Sequence, residues 1–143
     1  MFSKRCEYAI KIMTFIAHQQ KKSNKKVDVD AISKAIDSPK AFTAKILQDL
    51  VKSDLLVSTR GRFGGFSLSA QIDINLKQII EAIDGHKLLE GCLLGFGACS
   101  EKNPCVVHHQ LKSAREILKL KLRDTNLEII AKRVNEKNAY FKE

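Results

Sequence analysis

One interruption constrains this chain more than any other feature: the tripeptide Asp37-Ser38-Pro39, set inside an otherwise helical apolar pattern. Upstream, Asp28 or Asp30 can cap a short helix carrying Ile32, Ala35 and Ile36. Downstream, Ser38 suits an N-cap and Pro39 the first helical position, where a missing N–H costs nothing. The restarted helix buries Phe42, Ile46, Leu47, Leu50 and Val51. Two short helices across one tight turn make a helix-turn-helix. The second helix is expected to expose Lys40, Thr43, Ala44 and Lys45 near its N-terminal end. That end is the part which meets base edges when such a helix enters a major groove.

A hairpin follows directly. Leu55 to Thr59 reads as a short strand, Arg60 to Gly65 as a turn, and Phe66 to Ser69 as the return strand. A hairpin in this place is a wing. Arg60 and Arg62 stand at its tip among three glycines, which let the backbone approach a phosphate or enter a narrow groove.

The flanking segments supply the rest of the core. Residues 3–20 read as a helix with Ser3 as N-cap and an apolar stripe that includes a buried Cys6. Asp73 to Asp84 reads as another helix, closed by Gly85. A long helix is expected from Pro104 to about Asp124. Val107, Leu111, Ala114, Leu118 and Leu122 form a coiled-coil-like seam on it, widened by Ile117 and Leu120. So long an apolar face in so small a protein points to a homodimer, which suits two-fold DNA sites. Thr125 can cap a last helix carrying Leu127, Ile130 and Val134.

Residues 85–104 show no period, and a structureless stretch of that length is rare in a compact domain unless something else orders it. Cys92, Cys99 and Cys105, with His108 one helical turn later, name the agent. Thiolates and imidazole select an iron–sulfur cluster or zinc over hard cations, and spacing alone leaves the two metals level. His86 and His109 read as surface residues, and His18 as a group near a helix C-terminus. The expected organisation is a winged helix-turn-helix domain over 1–84, a cysteine-bearing loop over 85–104, and a dimerisation helix with a C-terminal helix over 105–143.

Charge fits a polyanionic partner. Residues 1–70 hold 13 Lys and Arg against 6 Asp and Glu, while residues 71–143 hold 12 against 10. Within that excess, Lys21, Lys22, Lys25 and Lys26 read as a solvated loop. The apolar runs are far short of the ~20 residues that span a bilayer. Lys4 and Arg5 lead into an amphipathic pattern, not a signal sequence. The expectation is a cytoplasmic protein with no membrane partner, whose thiols stay reduced. No phosphate loop, carboxylate pair or nucleophile–base motif points to an enzyme.

These residues resemble the Rrf family of bacterial winged-helix transcription regulators along nearly the whole chain. Cys6-Glu7-Tyr8-Ala9-Ile10 is similar to the family's acidic–aromatic–Ala–aliphatic opening. TRGRFGGFSLS, from Thr59 to Ser69, resembles its Arg-Gly-x-x-Gly-Gly-aromatic wing, and IIEAIDG, from Ile79 to Gly85, the segment before its cysteine loop.

The resemblance implies a mainly α winged-helix fold with a small β-hairpin wing, and a homodimeric repressor of a palindromic double-stranded operator. It implies wing arginines in the minor groove and a DNA-contacting set of Ser38, Lys40, Thr43, Lys45, Arg60, Arg62 and Gly64. It implies an iron–sulfur cluster on Cys92, Cys99 and Cys105, 2Fe–2S ahead of 4Fe–4S, with zinc as the alternative. By position His108 matches the histidine that is the fourth ligand in a cluster-binding member, while Glu7 stands where other members use an acidic residue. Six residues separate Cys92 from Cys99, one more than in that member. Ala44 replaces a glutamate involved there in operator choice. The alternative is a cluster-free member with a zinc site or thiol switch, or one that answers to a small-molecule or protein partner.

Overall fold

The computed structural model describes residues 1–70, 73–97 and 99–137. The last six residues of the expected C-terminal segment, and Ala98 within the cysteine loop, lie outside the described residues. The order is α1 (Lys4–Ser23), α2 (Val29–Ala35), α3 (Lys40–Lys52), β1 (Leu56–Thr59), β2 (Gly65–Leu68), α4 (Leu76–Asp84), α5 (Lys87–Glu90), α6 (His108–Asp124) and α7 (Leu127–Lys137).

Side-chain caps set most helix starts. Ser3 Oγ accepts from the Cys6 N–H at 3.0 Å, Asp28 Oδ1 from the Ala31 N–H at 2.8 Å, and Asn75 forms a reciprocal capping box with Gln78. Each such cap contributes about 1 kcal/mol. The Asn75 box starts α4 at Leu76, later than the expected Asp73.

The turn before α3 differs from expectation. Asp37 takes a left-handed conformation (φ 53°), and Pro39, not Ser38, occupies the cap position. Ser38 Oγ instead accepts from the Thr43 hydroxyl at 3.1 Å. The reversal at Asp37 is complete before Ser38, so the serine is left outside the helix and ties back to it through Thr43.

β1 and β2 pair antiparallel, with Leu56 opposite Leu68 and Thr59 opposite Gly65. Val27 adds a bridge to the outer edge of β2, exchanging two hydrogen bonds with Phe66 at 3.0 and 2.8 Å.

The main core lies between α1 and α3. Ile12, Met13 and Ile16 meet Ile46, Leu47 and Leu50, with Ile79 of α4 beneath them. Leu127 and Ala131 of α7 join the same cluster, so the C-terminal helix returns to seal α1. A smaller core gathers Cys6, Ile80, Leu89 and Leu122. It fixes α6 against α1 and α4, and burying a leucine such as Leu122 contributes about 1.5–3 kcal/mol.

Three expectations for the C-terminal half need correction. The region 85–104 contains the short helix α5, pinned by buried Leu89. The long helix begins at His108, with Val107 at the cap position, because Cys105 to Val107 form a turn in which the His108 N–H donates to the Cys105 carbonyl at 3.0 Å. Thr125 closes α6 by donating to the Lys121 carbonyl at 2.6 Å, while Asn126 Oδ1 accepts from the Glu128 N–H and caps α7.

The expected seam is divided. Leu122 is buried and Leu118 half-buried in this chain's own second core. Leu111 is half-buried beside the cysteines. What α6 leaves open is the second row, Ile117 (59% exposed) and Leu120 (47%), next to exposed Ala114. No helix among the described residues is long and apolar enough to cross a membrane.

Candidate metal centre and DNA-binding surface

The cysteine loop folds back so that the Sγ atoms of Cys92, Cys99 and Cys105 all lie within 4.8 Å of one another. Cys92 and Cys105 sulfurs are 3.8 Å apart. Metal–thiolate bonds of ~2.3 Å place two sulfurs on a tetrahedral metal ~3.8 Å apart, so the trio fits a thiolate-held metal. All three are free thiols.

Local backbone donors prepare the sulfurs. Backbone N–H groups of Phe96 and Leu94 hold the Cys92 thiol below its ordinary range. At Cys105 the Val107 N–H pulls the same way, but burial and the neighbouring Cys99 and Cys92 thiols outweigh it and raise the thiol. The Cys105 N–H in turn donates to Cys99 Sγ at 3.3 Å.

His108 is buried and turns Nδ1 to Cys99 Sγ at 2.9 Å. Its Nε2 faces Glu101 Oε1 at 3.3 Å, and Glu101 also pairs with Lys112. Lys112 first, then His108, holds the Glu101 carboxyl below the usual carboxylate range. A carboxylate on the far nitrogen fixes the tautomer and ring orientation of a ligating histidine. Glu7 is on the exposed first turn of α1, paired with Lys4 at 3.0 Å and outside the cysteine group.

Arg115 was not foreseen. Its Nη1 donates to the Gly91 carbonyl at 2.8 Å and, more weakly, to the Glu90 carbonyl at 3.4 Å. Gly91 is held from the other side too, its N–H donating to the Lys87 carbonyl at 2.7 Å. A Cβ there would sit 2.7 Å from that same oxygen. Arg115 is seven residues beyond His108, two helical turns along one face. Glu101 had no comparable signal, since its place depends on how the loop closes.

The helix-turn-helix offers a different face from the one expected. Lys40 and Lys45 are exposed, and Lys40 holds Asp30 at 3.0 Å in a solvated pair that contributes little and can exchange for a phosphate. Thr43 is fully buried, its hydroxyl bonded to Ser38 and to the Pro39 carbonyl at 3.0 Å. It braces the turn and has no open face. The exposed row is instead Ala41, Lys45 and Gln48. Gln48 follows Lys45 at a three-residue step, so its place was readable from the helical period.

On the wing, Arg60, Arg62 and Phe63 are exposed, with the Arg62 guanidinium 5.9 Å from the Phe63 ring centroid. Gly64 has a structural reason: a Cβ there would meet the Thr59 carbonyl at 2.2 Å. The tight turn, closed by Gly64 N–H to Gly61 O at 2.9 Å, holds the two arginines at the tip.

A helix-turn-helix followed by a two-stranded wing, with a long helix behind a thiol-rich loop, defines a winged-helix regulator. The family model Rrf2, described as iron-dependent transcriptional regulator, matches residues 2–133. The chain belongs to the Rrf2 family, whose members are DNA-binding transcriptional regulators and not enzymes.

An HTH-type transcriptional regulator of Aquifex aeolicus is 35% identical over 113 residues, covering 77% of this chain and 76% of that protein. An rrf2-like regulator of Rhodobacter capsulatus is 32% identical over 87 residues, 59% of this chain and 58% of that one. Among solved structures, CymR, the global cysteine regulator of B. subtilis, superposes with a TM-score of 0.76 at 20% identity over 93% of this chain and 97% of that one. T. potens IscR superposes with a TM-score of 0.73 at 19% identity over 96% and 90%. At those identities the likeness carries the winged-helix fold.

Proposed function

We propose that this regulator is a cytoplasmic homodimer which represses from a palindromic operator and senses its signal through an iron–sulfur cluster on Cys92, Cys99 and Cys105, with His108 as fourth ligand. The observation that carries a thiolate-held metal is the closure of three sulfurs to within 4.8 Å beside a buried imidazole nitrogen. The iron dependence in the family description favours iron over zinc. A 2Fe–2S centre is the preferred type.

The cluster, when bound, supplies a centre whose redox state or integrity changes with oxidants and nitric oxide. This chain's residues transmit the rest. His108, Leu111 and Arg115 present one face of α6 to the thiols, while Leu118 and Leu122 seat the same helix on the core shared with Cys6 of α1 and Ile80 of α4. α1 and α4 in turn pack on α3. A dimer formed over Ala114, Ile117 and Leu120 sets the separation of the two α3 helices. Half-sites lie one DNA turn apart, ~34 Å, so small rotations alter the fit. Coupling of ~1–3 kcal/mol changes operator affinity about 5- to 150-fold.

The test is anaerobic purification with visible absorption, iron and sulfide analysis, and operator binding before and after cluster loss. Visible charge-transfer bands with stoichiometric iron and sulfide are expected, and colourless protein carrying one zinc per chain would overturn the reading. That outcome would instead support a structural Cys₃His zinc site, a second reading favoured by the 3.8 Å sulfur separation, which suits one tetrahedral ion.

A further inference from the structure

Lys21, Lys22, Lys25 and Lys26 read in sequence as one solvated loop, but Lys21 and Lys22 form the last turn of α1, and the fold attaches the Lys25–Lys26 end to the wing. α1 ends at Ser23, and Asn24 (φ 52°) reverses the chain. Val27 then pairs with Phe66 through two hydrogen bonds, laying the preceding residues along the hairpin. Gly65 (φ 136°) accommodates this approach: a Cβ there would meet the Val27 carbonyl at 2.9 Å and Lys26 Cβ at 3.2 Å. Lys26 Nζ donates to Thr59 Oγ1 at 2.8 Å, on the residue immediately before Arg60.

The charges on this strip are uncompensated. Lys25 and Lys26 are exposed, and among the described residues neither has a carboxylate partner, nor have Arg60 and Arg62. Elsewhere Lys4 holds Glu7, Lys21 holds Glu128 and Lys40 holds Asp30. The nearest acid in the chain, Asp28, has one carboxylate oxygen occupied in capping α2. Lys26, with Lys25 before it, therefore brings two free cations beside Arg60 and Arg62 of the wing. A minor groove is walled by phosphates, so a cation anchored beside a groove-bound arginine stands against the wall.

We propose that Lys25 and Lys26 form a second phosphate-binding arm of the DNA interface, gripping duplex backbone beside the minor groove that the wing enters. It rests on the wing docking by Arg60. The contact is to backbone alone, so it adds affinity and footprint without adding sequence preference.

The experiment measures binding of the reduced full-length protein to a mixed-sequence duplex longer than two half-sites, by fluorescence anisotropy over a salt series. With both arms of the dimer on the duplex, the slope of log Kobs against log salt should become shallower by about 1.8 for Lys25→Gln, which keeps the Lys26–Thr59 bond, and by about 3.6 for Lys25→Gln with Lys26→Gln. Circular dichroism checks that both variants remain folded. Arg60→Ala, run in parallel, should weaken binding. If it does so while both lysine variants keep the wild-type slope, the arm is disproved and the wing docking stands. If Arg60→Ala has no effect either, the docking is wrong and the arm falls with it.

Discussion

The Arg115 guanidinium donates to the carbonyl of Gly91 at 2.8 Å, one residue before Cys92. The helix that carries His108 thus also clamps the loop segment that carries the first thiol. Replacing Arg115 with Met keeps much of the side-chain stem and removes the clamp. Metal affinity, followed by thiolate-to-cobalt charge-transfer absorption in the metal-free protein, should fall about 10- to 100-fold. Arg115→Lys should recover part of the loss.

The recognition helix separates a brace from a reader. Thr43→Val should leave DNA affinity within about twofold and cost about 1 kcal/mol in chemical denaturation, the usual worth of one buried hydrogen bond. Gln48→Ala should lose about 1–3 kcal/mol of discrimination between operator and mixed-sequence DNA if its amide reads a base edge. Parallel binding isotherms on the two duplexes measure both.

On α6, neighbouring leucines have unlike fates. Ile117→Glu with Leu120→Lys should yield monomers in sedimentation analysis with little loss of fold, because both side chains are open to solvent in one chain. Leu122→Ala should cost about 2–4 kcal/mol of stability, because Leu122 fills the core beside Cys6 and Ile80.

Burial first, then the charge of Asp84, pushes the Cys6 thiol up to about 12 from 9.0. Iodoacetamide at pH 8 should alkylate Cys92, Cys99 and Cys105 in metal-free protein and spare Cys6, as peptide mass analysis would show. The folded state favours the protonated thiol, so this contribution to stability is complete below about pH 9 and is lost as pH rises from about 9 to 12. Cys6→Ala should flatten that part of the stability profile.

Much of the fold was legible because local rules and burial agreed. Ser3 caps α1 as its spacing implied, and the apolar steps of α1 and α3 became the core. Boundaries were lost where a turn won over a helical signal. Pro104 invites a helix start, but the chain spends Cys105 to Val107 bringing sulfur to sulfur before α6 begins. Thr43 is a polar residue on a helix expected to meet DNA, and only the tertiary placement of Ser38 reveals that its hydroxyl is spoken for. The metal trio could be read from residue types alone. Glu101 could not, since its partners are supplied only by the closed loop, while for Arg115 the helical period gives the face but not the Gly91 carbonyl it holds. The place of Lys26 against the wing could not be read for a related reason: a two-residue bridge at Val27 has no periodic signature.

α6 has 17 residues. At ~1.5 Å per residue it is a stiff rod of about 25 Å, and a pivot of about 5° at the His108 end carries the Asp124 end through about 2 Å. Beyond that end α7 turns back onto α1, with Leu127 and Ala131 wedged into the main core. An angular change too small to break any contact near the thiols therefore arrives at the base of the DNA-reading half as a displacement of a whole bond length or more. The gain lies in the length of the lever.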